Sequence, residues 1–197
     1  MDWGNDPEDA TPLTEAQREG LKLSWIASRG ELNEAEADNI LAGVTKWQRR
    51  KLTLETLLDD RAVRDLHRDL FGDVWKWAGR YRTEDLNIGV EFWQVSVAVR
   101  NLVDDAVYWF GEGSTMTVDE ASARFHHRLV QIHPFPNGNG RHSREFTDLL
   151  LTVLGASPFT WGRDDLAPVS DVRRRYVRAL QAADVGEFGD LYAFVRS

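Results

Sequence analysis

The chain contains no cysteine, which excludes a disulfide framework and any thiolate metal site. Nowhere do apolar residues run for the ~18 positions that a membrane-spanning helix needs. Positive charge is in deficit: 24 Lys and Arg stand against 32 Asp and Glu, a net charge of −8. General nucleic-acid binding needs a basic face that neutralises phosphates, so none is expected. Residues 1–10 are acidic and polar, the reverse of a secretory signal, and the expectation is a cytoplasmic protein without membrane contact. Internal repeats and low-complexity tracts are also missing. What remains is ample apolar material: 42% hydrophobic residues, with eight Trp and nine Phe among 197 residues, enough for one sizeable core.

The pattern along the chain predicts helices almost throughout. Residues 1–12, broken by Asp6-Pro7 and Thr11-Pro12, read as a flexible N-terminus. A short helix is expected over 14–25, capped by Thr14 and stopped by Gly30, and a second over 32–48. A third, over 59–77, places Val63, Leu66, Leu70 and Val74 on one face. Helical periodicity lapses over 80–94, where Asn87, Ile88, Gly89 and Val90, with Phe92 and Trp93, suggest a short hairpin. Val99, Leu102, Val103, Ala106, Val107 and Phe110 give an amphipathic helix. The next, over 118–132, buries Ala121, Phe125 and Leu129 and delivers His133. Pro158 and Gly162 mark a loop, and helices over 169–182 and 186–196 close the chain. Three regions follow: the flexible 1–12, N-terminal helices over 13–50, and a main body over 51–197. The fold class is all-α with one hairpin.

The chemistry concentrates in His133-Pro-Phe-Pro-Asn-Gly-Asn-Gly-Arg-His-Ser-Arg144. Phe146, Leu149, Leu150, Val153 and Leu154 follow at helical spacing, so the glycine-rich loop opens onto a helix N-terminus. Free backbone N–H groups there, with the positive end of the helix dipole, suit a phosphate. Arg141 and Arg144 stand on neighbouring positions of the same helix and could both reach the anion. His133 lies just upstream, where it could take a proton from an attacking hydroxyl. The residues alone point to nucleotide phosphate chemistry.

This run resembles the Fic signature, His-x-Phe-x-Asp/Glu-Gly-Asn-Gly-Arg-x-x-Arg, and departs from it only at Asn137, where the family usually has a carboxylate. Phe71-Gly-Asp-Val-Trp-Lys-Trp-Ala-Gly-Arg80, Asn87-Ile-Gly-Val90 and Phe125-His-His-Arg-Leu-Val130 also resemble Fic-domain segments, most of all those of the subgroup called mobile mystery protein B. The resemblance implies a Fic fold and transfer of AMP from ATP to a Ser, Thr or Tyr hydroxyl of a target protein. His133 would be the general base and Phe135 a core anchor. Gly138 and Gly140 would let phosphate approach the backbone, and Asn139 would donate to phosphate or cap the helix. Arg141 and Arg144 would hold the β- and γ-phosphates. Asn87, Ile88, Gly89 and Val90 correspond to the flap that lays the target segment across the site by backbone pairing.

Mg²⁺ or Mn²⁺ is the implied cofactor, and Asn137 would bind it weakly because an amide oxygen is neutral. Doc-type members, which phosphorylate their target, carry Lys in place of Gly140 and lack the second arginine, so both positions here follow the AMP-transferring pattern. A rival reading is a catalytically weak nucleotide-binding regulator in a toxin-like pair. The subgroup resemblance also implies a small helix-turn-helix partner. Many family members are held off by a helix of pattern Ser/Thr-x-x-x-Glu-Gly/Asn. The nearest segments here put Asp38, followed by Asn39, or Glu19, followed by Gly20, in the glutamate slot. His126 and His127 point apart on a helix, so they do not form a zinc site with His133 and His142.

Overall fold

The computed structural model describes residues 15–162 and 171–197. Among them the chain is helical and carries no strand, and Leu21 and Trp75 form an isolated antiparallel bridge. The flexible N-terminus expected over 1–12 lies outside the described residues. None of the described helices is long and apolar enough to cross a membrane.

Helix α1 (Glu15–Gly20) is shorter than expected. The chain leaves the helix at Gly20 to pair with the stretch around Trp75: Lys76 N–H donates to the Gly20 carbonyl, and Lys22 N–H to that of Val74, each at 2.9 Å. Helix α2 (Arg29–Gln48) starts earlier than the hydrophobic pattern indicates. Ser28 and Glu31 form a capping box there, and Gly30, expected as a breaker, sits inside the first turn. A short α3 (Leu54–Leu57), capped by Thr53, precedes the helix expected over 59–77, which forms only as the shorter α4 (Asp60–Phe71), capped by Asp59. It stops at Gly72 because tertiary partners take the next backbone groups. Asn39 Oδ1 accepts the Asp73 N–H at 2.9 Å, and the Val74 carbonyl accepts Lys22.

The remaining helices are α5 (Val95–Trp109), α6 (Val118–Ile132), α7 (Asn139–Val153), α8 (Asp171–Asp184) and α9 (Gly189–Val195). Helix α2 lies along α4, buried through Leu32, Glu36, Asn39, Gly43 and Trp47. A Cβ at Gly43 would come within 2.5 Å of the Asp69 carbonyl, so glycine sets the closeness of that crossing. Helix α7 packs on α6 and joins two apolar clusters. Phe146 and Leu150 belong to the main core with Phe71, Phe125 and Phe135. Leu151 belongs to the smaller one, with Trp161, Tyr176 and Leu191.

The expected hairpin over 80–94 is not formed. Residues 84–90 make a bent loop, then a 3₁₀ turn (Phe92–Gln94) runs into α5. The carbonyls of Glu84 and Val90 are taken by the Arg82 guanidinium, and the Phe92 N–H donates to Asp85, so no cross-strand ladder develops.

Candidate active site

Helix α6 ends in His133, whose N–H donates to the Leu129 carbonyl. The residue holds the left-handed conformation, φ 53° and ψ 60°, which a non-glycine residue adopts only when its surroundings impose it. Those surroundings are buried Pro134 and Phe135 on one side and, on the other, Arg82, whose Nε donates to the His133 carbonyl at 2.8 Å. The imidazole is half-buried. Its Nδ1 is buried and has no hydrogen-bond partner among the described residues. Burial, with the nearby Arg82 charge, pushes His133 down to about 4, so at neutral pH the ring is free to accept a proton.

The motif loop is held from inside. Both polar atoms of the Asn139 side chain are engaged by the Phe135 backbone, Oδ1 accepting its N–H at 2.9 Å and Nδ2 donating to its carbonyl at 2.8 Å. Asn139 is 2% exposed, so its side chain shapes the loop instead of facing an anion or capping the helix. Gly138 takes that cap position at φ 79°, and a Cβ there would lie 2.6 Å from the Phe71 ring. Gly140 differs: the nearest atom to a Cβ at this position is Arg144 Nη1, at 3.9 Å. The mouth of the helix N-terminus is therefore open between Gly140 and Arg144. The first-turn N–H groups of α7 point out through it, with no helical carbonyl to bond.

Sequence reasoning passed over His67. This wholly buried residue stacks on Phe135 with ring centres 3.7 Å apart. Its Nε2 donates to the Asn137 carbonyl, and its Nδ1 accepts the Gly79 N–H, both at 3.0 Å. Burial, helped by His142, holds His67 well below its ordinary value, which agrees with one nitrogen protonated and one accepting. The available signal was a histidine inside the apolar stripe of α4, beside Val63, Leu66 and Leu70. His142 lies inside the motif yet faces the core, bonded through Nε2 to the Val63 carbonyl. His126 pairs with Tyr176 and His127 with Asp184, in different directions.

Arg141 and Arg144 both line the helix N-terminus, in unlike states. Arg141 Nη1 lies 2.6 Å from Glu36 Oε2, and its guanidinium sits 5.0 Å from the Phe71 ring centre. Arg144 lies 6.0 Å from the Tyr176 ring centre and forms no ion pair among the described residues. Glu36 is 3% exposed, and its other oxygen accepts Trp75 Nε1 at 2.6 Å. Neither Asp38 nor Glu19, both exposed, contacts a motif arginine. The reason is helical phase. Leu32, Glu36, Asn39 and Gly43 recur at spacings of four, three and four along the buried stripe of α2, and Asp38 falls outside it. A glutamate in that stripe was the legible signal.

The 84–90 loop lies directly on His133. Gly89 has φ 103°, and a Cβ there would be 2.8 Å from His133 Cβ. Asn87 and Ile88 are exposed, while Val90 is half-buried and donates its N–H to the Ile132 carbonyl at 3.3 Å. Asn137 is exposed, and its Oδ1 accepts the Gly138 N–H at 2.7 Å. Among the described residues no group of three His, Asp or Glu could hold a metal ion. One neutral amide oxygen, already accepting a hydrogen bond, is a poor donor set for Mg²⁺.

A neutral imidazole, a helix N-terminus with two arginines and a covering loop, all on a helical frame, form an arrangement suited to base-assisted chemistry on a phosphorylated ligand. Residues 57–151 match the model of the Fic/DOC family, and this stretch is a Fic domain. It is 35% identical over 146 residues to the protein adenylyltransferase fic-1 of Caenorhabditis elegans, covering 72% of this chain and 26% of that one. The chain thus spans about a quarter of the length of that curated relative. Among solved structures, BepC, a VirB-translocated effector protein of Bartonella tribocorum with bound AMPPNP, superposes with a TM-score of 0.67 at 16% identity, over 89% of each chain. The N-terminal Fic domain of Bep8 from Bartonella sp. 1-1C gives 0.68 at 15% identity, over 88% of each. These last two establish the fold.

Proposed function

We propose that this chain is a protein adenylyltransferase, moving AMP from ATP to a Ser, Thr or Tyr hydroxyl of a target protein. The carrying observation is the neutral, half-buried His133 under the flap, beside an α7 N-terminus flanked by Arg141 and Arg144. The adenylyltransferase name of the relative at 35% identity supports the same reading. In the step, His133 takes the proton of the acceptor hydroxyl while its oxygen bonds to the α-phosphorus. The bond to the bridging oxygen breaks and pyrophosphate leaves. Arg141, Arg144 and the first N–H groups of α7 offset the charge that develops on the phosphates.

Mg²⁺ or Mn²⁺, where bound, would offset charge on the phosphates, and Asn137 would offer it only a neutral oxygen. Asn137→Asp is expected to tighten metal dependence and quicken transfer; the same rate and metal response in both proteins would count against this role. Glu36 restrains the enzyme by occupying Arg141, and it takes the part that helix pattern alone had given to Asp38 or Glu19. This restraint and the neutral Asn137 favour a slow, regulated enzyme within a toxin-like pair. A small helix-turn-helix partner belongs to the same proposal, on the resemblance to the mobile mystery B subgroup.

The test is incubation with α-labelled ATP in host lysate, with γ-labelled ATP run in parallel and His133→Ala as control. Bands that appear with the α-label and vanish in the variant support AMP transfer. Bands that carry only the γ-label point to a Doc-type phosphotransferase. ATP binding without any band, in wild type and in Glu36→Gln alike, points to a regulator.

A further inference from the structure

Arg82 carries a buried charge that the chemical step leaves unused. The residue is 4% exposed, and its donors go to backbone carbonyls from separate stretches of chain. Nε donates to His133 O at 2.8 Å, Nη1 to Glu84 O at 3.0 Å and Nη2 to Val90 O. Its own N–H donates to Pro134 O at 3.0 Å. Asp85 lies 3.6 Å from Nη1 and also accepts the Phe92 N–H at 2.8 Å. One guanidinium therefore closes the neck of the 84–90 loop and ties it to the residue that carries the imidazole. Only arginine offers a rigid, permanently charged fork with enough donors for three carbonyls at once.

We propose that Arg82 is a positioning residue for the transfer: it clamps the flap to the His133 backbone and so fixes the surface against which the acceptor hydroxyl meets the base. The geometry stands by itself, and the consequence for catalysis rests on the adenylyltransferase reading. Gly89, pressed on His133 by the closed loop, sets the height of that surface. Val90 has given its N–H to Ile132 and its carbonyl to Arg82, so an incoming strand finds neither group free. The target's backbone then meets the flap at residues 87–89 and not along a continuous strand edge.

Arg82→Lys keeps the charge and loses the fork. In the full chain, amide exchange at Val90 and Phe92 is expected to rise by roughly tenfold or more as the loop opens. ATP affinity stays within about threefold, since binding at the α7 N-terminus is separate from flap geometry. AMP incorporation into lysate protein at saturating ATP falls by roughly 50-fold, the size of effect that misplacing a reacting group produces. Gly89→Ala keeps the arginine but sets a Cβ 2.9 Å from Arg82 Nη2 and 2.8 Å from His133 Cβ, displacing the flap from both, so it gives the same signature. His133→Ala abolishes incorporation with flap exchange unchanged.

Unaltered flap exchange in Arg82→Lys overturns the proposal, as does a loosened flap with near wild-type incorporation. So does a loss of incorporation that comes only with lost ATP binding and raised exchange throughout α6 and α7. A protein that binds ATP and labels nothing, in wild type and in Glu36→Gln alike, defeats the adenylyltransferase reading and the positioning role together. Exchange at residues 84–92 then still reports whether the clamp exists.

Discussion

Glu36 decides the state in which Arg141 is found. Its carboxylate is buried, and it holds both Arg141 and the Trp75 indole. Removing the whole side chain would strand Trp75 Nε1, at a cost of roughly 1–3 kcal/mol. Glu36→Gln is the better probe, because the amide oxygen keeps the indole while the charge on Arg141 is released. ATP affinity is expected to rise by roughly tenfold, read by titration calorimetry, as an ion pair within hydrogen-bond distance gives way to phosphate. No gain in affinity would mean that Glu36 only braces Trp75. His133 yields a second expectation. With its folded value near 4, the ring stays a base well below the ordinary histidine range. The rate of AMP transfer should therefore stay level from about pH 7.5 to about 5.5, where an unperturbed histidine near ~6.5 would already have lost most activity. A rate that halves near pH 6.5 would contradict it.

At the scale of the element, the loop that opens α7 contains two glycines with different duties. Gly138 is at φ 79° with the Phe71 ring where its Cβ would stand. Gly138→Ala should cost about 1–3 kcal/mol in backbone strain alone, and more through the clash. Tm should fall by about 3–10 °C in this size class. Gly140 is helical with open space as far as Arg144. Gly140→Ala should leave Tm unchanged or slightly raised while weakening triphosphate binding, because the methyl group stands in the mouth of the anion site. Equal melting shifts in the two variants would refute this division. The sequence marked both glycines as loop-forming. It carried no sign of the distinction, since the Phe71 contact joins positions far apart in the chain.

For the whole molecule, buried histidines set the response to acid. His126 and His142 are pushed down to about 3 by burial, and His67 lies well below its ordinary value. Their folded values lie under the unfolded one, so unfolding takes up protons. Stability is complete above about pH 6.5 and declines as pH falls from there toward the folded values, by up to about 1.4 kcal/mol per unit for each histidine. Glu145 and Asp148, raised by burial, act in the opposite sense from their unfolded values upward. The slope of Tm against pH should be read between about pH 5 and 6.5. His126→Gln, which can still bond Tyr176, should remove close to one proton from the uptake. An unchanged slope would place the acid sensitivity elsewhere.

The sequence by itself determined the local rules of this protein. Helical periodicity gave the all-α class and α5, α6 and α7 in nearly their observed places, and the run from His133 to Arg144 marked the candidate site, because each depends on residues close in the chain. Tertiary structure decided whatever hangs on partners remote in sequence. It ended α4 at Gly72 through Asn39 and Lys22, and it replaced a hairpin ladder with the Arg82 guanidinium. It turned Asn139 inward, and it chose Glu36 over Asp38 because the packing of α2 on α4 fixes which face of the helix meets Arg141. A carboxylate's neighbour across 105 positions is set by how two helices meet, and no local pattern encodes that.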